Sequence, residues 1–289
     1  MPESLTVPSR RLNFSVNGLN LVAEASGPRD GIPVLALHGW LDNAASFTHL
    51  TPFLAGCHVV ALDQRGHGLS SHAAQPYQIW DGVPDVIAVL DQLDWESAIV
   101  LGHSMGAAIA TLCASAFPER VRALWLIEGL GPWTYADTEA PDLLRLATER
   151  LLALPKRRKP RYENFEDALR ARINGGVVPL TEAAARPIVA RGLNQTVDGW
   201  TWAADQHLTL PAQFRMDEVQ VHAFLKRLTM PISLALGSTG IFSQCGGLAD
   251  RRSLLPQIRV ETFQGGHHLH LEGAERAIAS WFLNSLESA

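Results

Sequence analysis

The sequence predicts an α/β fold: a mostly parallel central sheet with helices on both faces and an inserted helical cap. Three observations point there. Short apolar runs rich in β-branched residues alternate with longer stretches of helical spacing. The runs are continuously apolar, as in strands covered on both faces. The alternation is interrupted once, from residue 132 to 228, where only helix-like segments are expected. A TIM barrel of eight regular repeats would not carry such an interruption.

Residues 12–16 and 19–25, joined by Asn17-Gly18, predict an opening antiparallel hairpin. Residues 33–37 form the first buried parallel strand and run into His38-Gly39, with helical spacing over 44–54. Residues 58–62 repeat the strand pattern and end at Asp63, with a helix over 83–93. Residues 98–101 end in Gly102-His103-Ser104, a helix covers 105–116, and 121–127 stop at Glu128. After the interruption, 232–236 and 258–263 are strands, each followed by glycine, and 271–286 form the last helix. The core is therefore 1–131 plus 229–289. The cap is 132–228, between the sixth and seventh strands, with helical segments at 142–154 and 164–173.

The 289 residues are 47% hydrophobic and 18% charged, with a net charge of −5 and a pI near 6.1. Such a composition excludes disorder, coiled coils and the basic surface of a nucleic-acid binder. The charge is unevenly placed, with 14 Lys/Arg against 12 Asp/Glu in the cap and 10 against 17 elsewhere. Cys57, Cys113 and Cys245 are too few for a disulfide framework and fit a reducing compartment. Residues 1–11 lack a charged-then-apolar leader. The longest apolar stretch, 97–117, is broken by Gly102-His103-Ser104 and Gly106, so it reads as two elements, not a membrane span. The expectation is a cytoplasmic protein, monomer or homodimer, with no membrane or nucleic-acid partner.

In open α/β sheets, ligands sit at the carboxyl ends of strands. Gly102-His103-Ser104-Met105-Gly106 is a G-x-S-x-G between a buried strand and an Ala-rich helix, the setting of a nucleophile elbow. Ser104 would project its hydroxyl from a strained turn at a helix N-terminus, where the Met105 N–H and the helix dipole favour an oxyanion. A serine needs a base. His267, in Gln264-Gly265-Gly266-His267 after the last strand, is best placed, with His268 and His270 as rivals. A zinc reading of His267-His268-x-His270 lacks both H-E-x-x-H spacing and a paired cysteine set.

The acid should fall between serine and histidine in the chain. The strand at 232–236 runs into Gly237-Ser238-Thr239-Gly240, with no carboxylate, and Asp250 lies well downstream. Glu128 closes the strand after the nucleophile helix among apolar neighbours, where a carboxylate is expensive unless paired. It is the favoured acid, against Asp250 or a cap acid. The Trp40 N–H, after His38-Gly39, is the second candidate oxyanion donor. Asp63-Gln64-Arg65-Gly66-His67-Gly68 reads as a braced loop, and residues 156–161 as a solvated basic turn. Trp133, Trp200 and Trp202 in the cap, with His38 and His103, are the candidate pocket residues.

These ordered motifs resemble the α/β-hydrolase superfamily over the whole length, and so imply the α/β-hydrolase fold. More narrowly, His38-Gly39-Trp40-Leu41-Asp42-Asn43 and Glu128-Gly129-Leu130-Gly131-Pro132 resemble the serine hydrolase-like proteins. Some haloalkane dehalogenases of the same superfamily also carry their acid before the cap, which favours Glu128. Ser104 sets this chain apart from their Asp-nucleophile chemistry and from that of epoxide hydrolases. The departure from the superfamily pattern is Gly240, where an Asp would be usual. The expected activity is hydrolysis of a carboxylic ester or related small-molecule acyl substrate through Ser104, His267 and Glu128, without metal or cofactor. The alternatives are a thioesterase, a C–C hydrolase, a perhydrolase, or a ligand receptor with a slow triad.

Overall fold

The structure is a computed structural model that describes residues 9–175, 178–242 and 247–287, so Cys245 lies outside the described residues. The strands are β1 (Arg10–Val16), β2 (Leu19–Ser26), β3 (Ile32–Leu37), β4 (Cys57–Asp63), β5 (Ala98–His103), β6 (Val121–Ile127), β7 (Arg161–Tyr162), β8 (Leu193–Thr196), β9 (Gly199–Trp202), β10 (Ile232–Gly237) and β11 (Ile258–Phe263). The helices are α1 (Gly82–Gln92), α2 (Met105–Ala116), α3 (Ala140–Ala153), α4 (Phe165–Asn174), α5 (Glu182–Gly192), α6 (Glu218–Leu225), α7 (Leu248–Ser253) and α8 (Glu275–Glu287). Eight strands form one sheet in the order β1-β2-β4-β3-β5-β6-β10-β11. Within this sheet, among the described residues, β1 with β2 and β2 with β4 are the antiparallel pairs.

The central strands are mostly apolar because both faces are covered. Along β3, Leu35 and Leu37 enter the cluster beneath α1 and α2, while Val34 and Ala36 enter the cluster beneath α8. Trp125 on β6 stacks on Phe282 of α8 with ring centroids 5.1 Å apart, an arrangement worth about 0.5–1.5 kcal/mol beyond the area buried.

Between β6 and β10 lie α3 to α6 and a second, three-stranded sheet, β7-β9-β8. Those strands correct the expectation of helices alone over 132–228. They span two to four residues each, too short for a periodicity to register. Asp198-Gly199 between Val197 and the Trp200-Thr201-Trp202 run was the available hairpin signal. This segment has its own core of Leu169, Ala184, Ile188 and Val189, with Trp200 and Trp202 packed against it. Helix α6 instead buries Val221 and Leu225 with α2.

Two helix expectations also need correction. Residues 44–54 form two single 3-10 turns, Ala44–Phe47 and Thr51–Phe53, instead of one helix. Pro52 has no N–H for a helical bond to residue 48, and Phe47, Leu50 and Leu54 reach the core from the turns regardless. The last helix begins at Glu275, not at 271. Gly273 stands at φ +105, outside helical space, and Leu271 packs into the inserted segment's core. Among the described residues, no helix is long and apolar enough to cross a membrane.

Candidate active site

Strand register sets the site. Leu37 pairs with Gly102, His103 with Ile127, Ile127 with Ala235, and Gly237 with Phe263. The residues that follow each of these strands therefore leave the sheet along one edge. Trp40, Ser104, Glu128, Gly240 and His267 all come from those exits.

Ser104 lies between β5 and α2 at φ +53, ψ −113, a left-handed backbone that costs a non-glycine residue about 1–3 kcal/mol. Its own N–H donates to Ile127 O at 3.0 Å, and its carbonyl accepts from Ala107 N–H at 3.0 Å. The neighbouring glycines are required by close approach. A Cβ on Gly106 would lie 2.0 Å from Leu37 O, and one on Gly102 would lie 2.6 Å from Ala107 Cα. Met105 opens α2, so its N–H is among the amides that a helix start leaves without an intrahelical partner.

Glu128 follows β6 at φ +50 and is 1% exposed. Its Oε1 accepts from Gly237 N–H at 2.8 Å, and its Oε2 from Phe242 N–H at 3.1 Å. The same Oε2 accepts from His267 Nδ1 at 3.1 Å. A carboxylate with three donors is a satisfied buried charge, and it fixes His267 with its proton on Nδ1 and its lone pair on Nε2. The missing acid at 240 has a steric counterpart: a Cβ on Gly240 would lie 2.2 Å from Glu128 Oε1. The Glu128 carboxylate occupies the space that an Asp at 240 would enter.

His267 is tied to the serine corner through its backbone, because its carbonyl accepts from His103 Nε2 at 2.9 Å. His103 precedes Ser104, so the loops carrying the two catalytic candidates adjoin; the structure pairs His267 with Glu128 but shows no Ser104–His267 hydrogen bond among the described residues. The rivals have other partners: His268 Nε2 donates to Asp42 Oδ2 at 3.1 Å, and His270 Nε2 bonds Ser46 Oγ at 3.0 Å. Burial, reinforced by neighbouring imidazoles, holds both His103 and His270 well below the usual histidine pKa.

The pocket candidates are placed differently from one another. His38 is fully buried; its Nδ1 donates to Gly39 O at 2.7 Å and its Nε2 accepts from Gln64 N–H at 3.0 Å. His103 is buried among three other imidazoles. Trp200 and Trp202 pack edge-to-face on Phe165 and Tyr162, within the inserted segment. Trp133 is 53% exposed. Trp40 is partly exposed, and its indole donates to Leu208 O at 2.8 Å, linking the loop after β3 to the insertion.

Residues that sequence reasoning left aside carry much of the local electrostatics. Asp63 accepts from Ala44 N–H at 2.7 Å and Leu69 N–H at 2.8 Å, and takes Arg191 of α5 on both oxygens at 2.9 Å. Arg172 of α4 reaches Asp42 Oδ1 at 3.1 Å. Burial opposes ionisation of Asp42, yet His268 and Arg172 outweigh it and hold the carboxyl well below the usual range. In sequence, both arginines look like ordinary charges of a solvated segment. In the basic run, Lys159 donates to Ala204 O at 2.7 Å and to Trp202 O at 3.0 Å.

The family model described as "alpha/beta hydrolase fold" matches residues 32–274. Serine hydrolase-like protein 2 of Homo sapiens is 30% identical over 294 residues, covering 94% of this chain and 93% of its own. A hypothetical protein of Pseudomonas aeruginosa PAO1, solved as a crystal structure, superposes with a TM-score of 0.91 at 40% identity, over 96% of this chain and 99% of that one. A thioesterase domain from the curacin biosynthetic pathway superposes at 0.84 with 24% identity, over 96% and 99%, a likeness of fold.

Proposed function

Since the chain belongs to the α/β-hydrolase family, we propose that it is a serine hydrolase that cleaves a small carboxylic ester or related acyl compound, with Ser104 as nucleophile, His267 as base and Glu128 as the acid that orients it. The observation that carries this reading is the backbone of Ser104 at φ +53, ψ −113 between β5 and α2. Strain of that kind persists where it serves a function, and here it aims a hydroxyl away from the sheet at a helix start. The Glu128–His267 hydrogen bond of 3.1 Å supports it. The hydrolase names carried by the relatives support the reaction class.

In the proposed reaction, His267 Nε2 takes the Ser104 proton as Oγ attacks the acyl carbon. The N–H groups of Trp40 and Met105 hold the tetrahedral oxyanion. The leaving alcohol departs with the proton from His267, and water, activated by the same nitrogen, releases the acid from the acyl-enzyme. Glu128 keeps the imidazole in its Nδ1–H form and stabilises the transient imidazolium. Residues 132–228 form the lid, with Arg172 and Arg191 fastening it to Asp42 and Asp63 of the core.

A fluorophosphonate probe tests the nucleophile. Folded protein should label at Ser104, heat-unfolded protein and Ser104→Ala should not, and p-nitrophenyl acyl esters should turn over steadily. Absence of label on folded protein overturns the proposal, and a stoichiometric burst without turnover makes the protein a receptor instead.

A further inference from the structure

We propose that Asp42, His103 and His268 form a site for a divalent transition-metal ion of the zinc type, separate from the Ser104–His267–Glu128 group. The three side chains offer one ligand atom each, all within 4.8 Å of one another, and all three are buried. They come from the loop after β3, the end of β5 and the loop after β11.

The first argument is a mismatch of lone pairs. His103 Nε2 donates to His267 O at 2.9 Å, so in the neutral ring Nδ1 carries the lone pair. That nitrogen has no hydrogen-bond partner and faces Asp42 Oδ2 at 3.9 Å. Two acceptors thus confront each other inside the protein, an arrangement that a cation between them relieves.

The second argument is the shell around the trio. Metal-binding histidines characteristically donate their other N–H to a carbonyl or carboxylate, and ligating carboxylates are themselves hydrogen-bonded. His103 makes the first contact to His267 O, and Asp42 Oδ1 makes the second with Arg172 at 3.1 Å. His268 Nε2 lies 3.1 Å from Asp42 Oδ2, while its Nδ1 has no partner. When a metal takes the Nε2 lone pair, the ring proton moves to Nδ1, and no net proton is released.

The third argument is space. No left-handed φ requires a glycine at 39, yet a Cβ there would lie 2.9 Å from His103 Nδ1 and 3.4 Å from Asp42 Oδ2. The glycine leaves room beside both ligand atoms. Ligands at about 2.0–2.1 Å around a tetrahedral zinc stand roughly 3.4 Å apart; the two pairs with Asp42 stand at 3.1 and 3.9 Å, and all three atoms lie within 4.8 Å, so binding draws the two imidazoles together. Two imidazoles and one carboxylate select zinc, cobalt or nickel over magnesium or calcium. His267 and His270 stand outside the trio, with one nitrogen each on Glu128 and Ser46. The trio depends on no contiguous motif, which is why spacing along the chain does not reveal it.

The test is titration of the chelator-treated, full-length protein with Co²⁺ over hours, followed by calorimetry and visible absorption, with Zn²⁺ as competitor. About one Co²⁺ per chain should bind with the visible bands of a low-symmetry nitrogen/oxygen site, and Zn²⁺ should displace it. Asp42→Asn and His268→Gln should each weaken binding at least about 100-fold, while Ser104→Ala and the surface variant His222→Gln should bind as wild type. Should the ligand variants fail to fold, Gly39→Ala, which fills the gap without removing a ligand, should lose the bands while keeping its circular dichroism. No stoichiometric Co²⁺ in wild type, the result a bridging water would give, overturns the proposal. Wild-type affinity in Asp42→Asn overturns it equally. Labelling of Ser104 is independent of either outcome.

Discussion

Glu128→Gln keeps the shape of the side chain and removes its charge, so it isolates what the carboxylate does for His267. Glu128 accepts from Gly237 N–H on Oε1 and from Phe242 N–H and His267 Nδ1 on Oε2. An amide has one oxygen, so in either orientation its NH₂ confronts a donor, at a stability cost of about 1–3 kcal/mol. The catalytic loss is larger. A unit charge 3.1 Å from the imidazolium is worth about 5 kcal/mol at an effective dielectric constant near 20, close to four decades in rate. The expectation for a p-nitrophenyl ester is a kcat lowered about 10³–10⁴-fold with KM changed by less than about threefold, as loss of a transition-state interaction requires. Relocating the acid tests the same point. Gly240→Asp alone should damage the enzyme, because its Cβ would lie 2.2 Å from Glu128 Oε1. In Glu128→Ala/Gly240→Asp that space is vacated, and kcat should recover at least about tenfold over Glu128→Ala. A Glu128→Gln kcat within about tenfold of wild type would refute the reasoning and move the acid elsewhere.

Burial lowers the pKa of His38, His67, His103 and His270, with His67 brought down to about 3. Below about pH 6.5 the unfolded chain therefore binds more protons than the folded one, so stability is full above that pH and falls as pH drops, by about 1.4 kcal/mol per unit for each such group. His67 alone should remove about 2 kcal/mol between pH 6.5 and 5, and equal urea stability at pH 7 and pH 5 would contradict this. Arg191→Met leaves Asp63 buried without its ion pair and should cost about 3–5 kcal/mol in urea unfolding; a loss below about 1 kcal/mol would mean that the two backbone donors suffice. Gly106→Ala drives a methyl to 2.0 Å from Leu37 O and should destabilise by about 3 kcal/mol or more, whereas a variant as stable as wild type would show that the corner yields easily.

The central strands were legible because parallel strands buried on both faces write themselves as apolar runs, as in Val34–Leu37 and Ile99–Leu101. The buried bond between Glu128 and His267 was legible for the complementary reason: a carboxylate between Ile127 and Gly129-Leu130 must have a partner. The second sheet was not, since β7 and β9 are shorter than any periodicity needs. The tryptophans Trp200 and Trp202 marked an apolar segment correctly, but composition does not distinguish a pocket wall from the small core they join. Helical spacing over 44–54 described which residues reach the core, and two turns satisfy that pattern as well as a helix does. Asp42 and His103 acquire meaning only through the register that sets β3 beside β5, and no local pattern encodes that.

Three carboxylates leave the same edge of the sheet, and they are put to different uses. Asp63 has both oxygens on Arg191 of the inserted segment and two backbone amides. Asp42 divides its oxygens between Arg172 of that segment and His268. Among the described residues, Glu128 takes two amides and one histidine and no arginine. The distinction is physical. In the proposed reaction, a guanidinium on Glu128 would neutralise the charge that the transient imidazolium needs, whereas amide donors hold the carboxylate in place and leave its charge available. By the same logic Asp63 is a tether, because its charge is already matched by a permanent cation. Asp42 stands between these cases, with one oxygen committed to the lid and the other turned toward two imidazoles. The position beyond a strand selects where an acid can act, and the identity of its hydrogen-bond donors decides whether its charge is left for a histidine or matched by an arginine of the inserted segment.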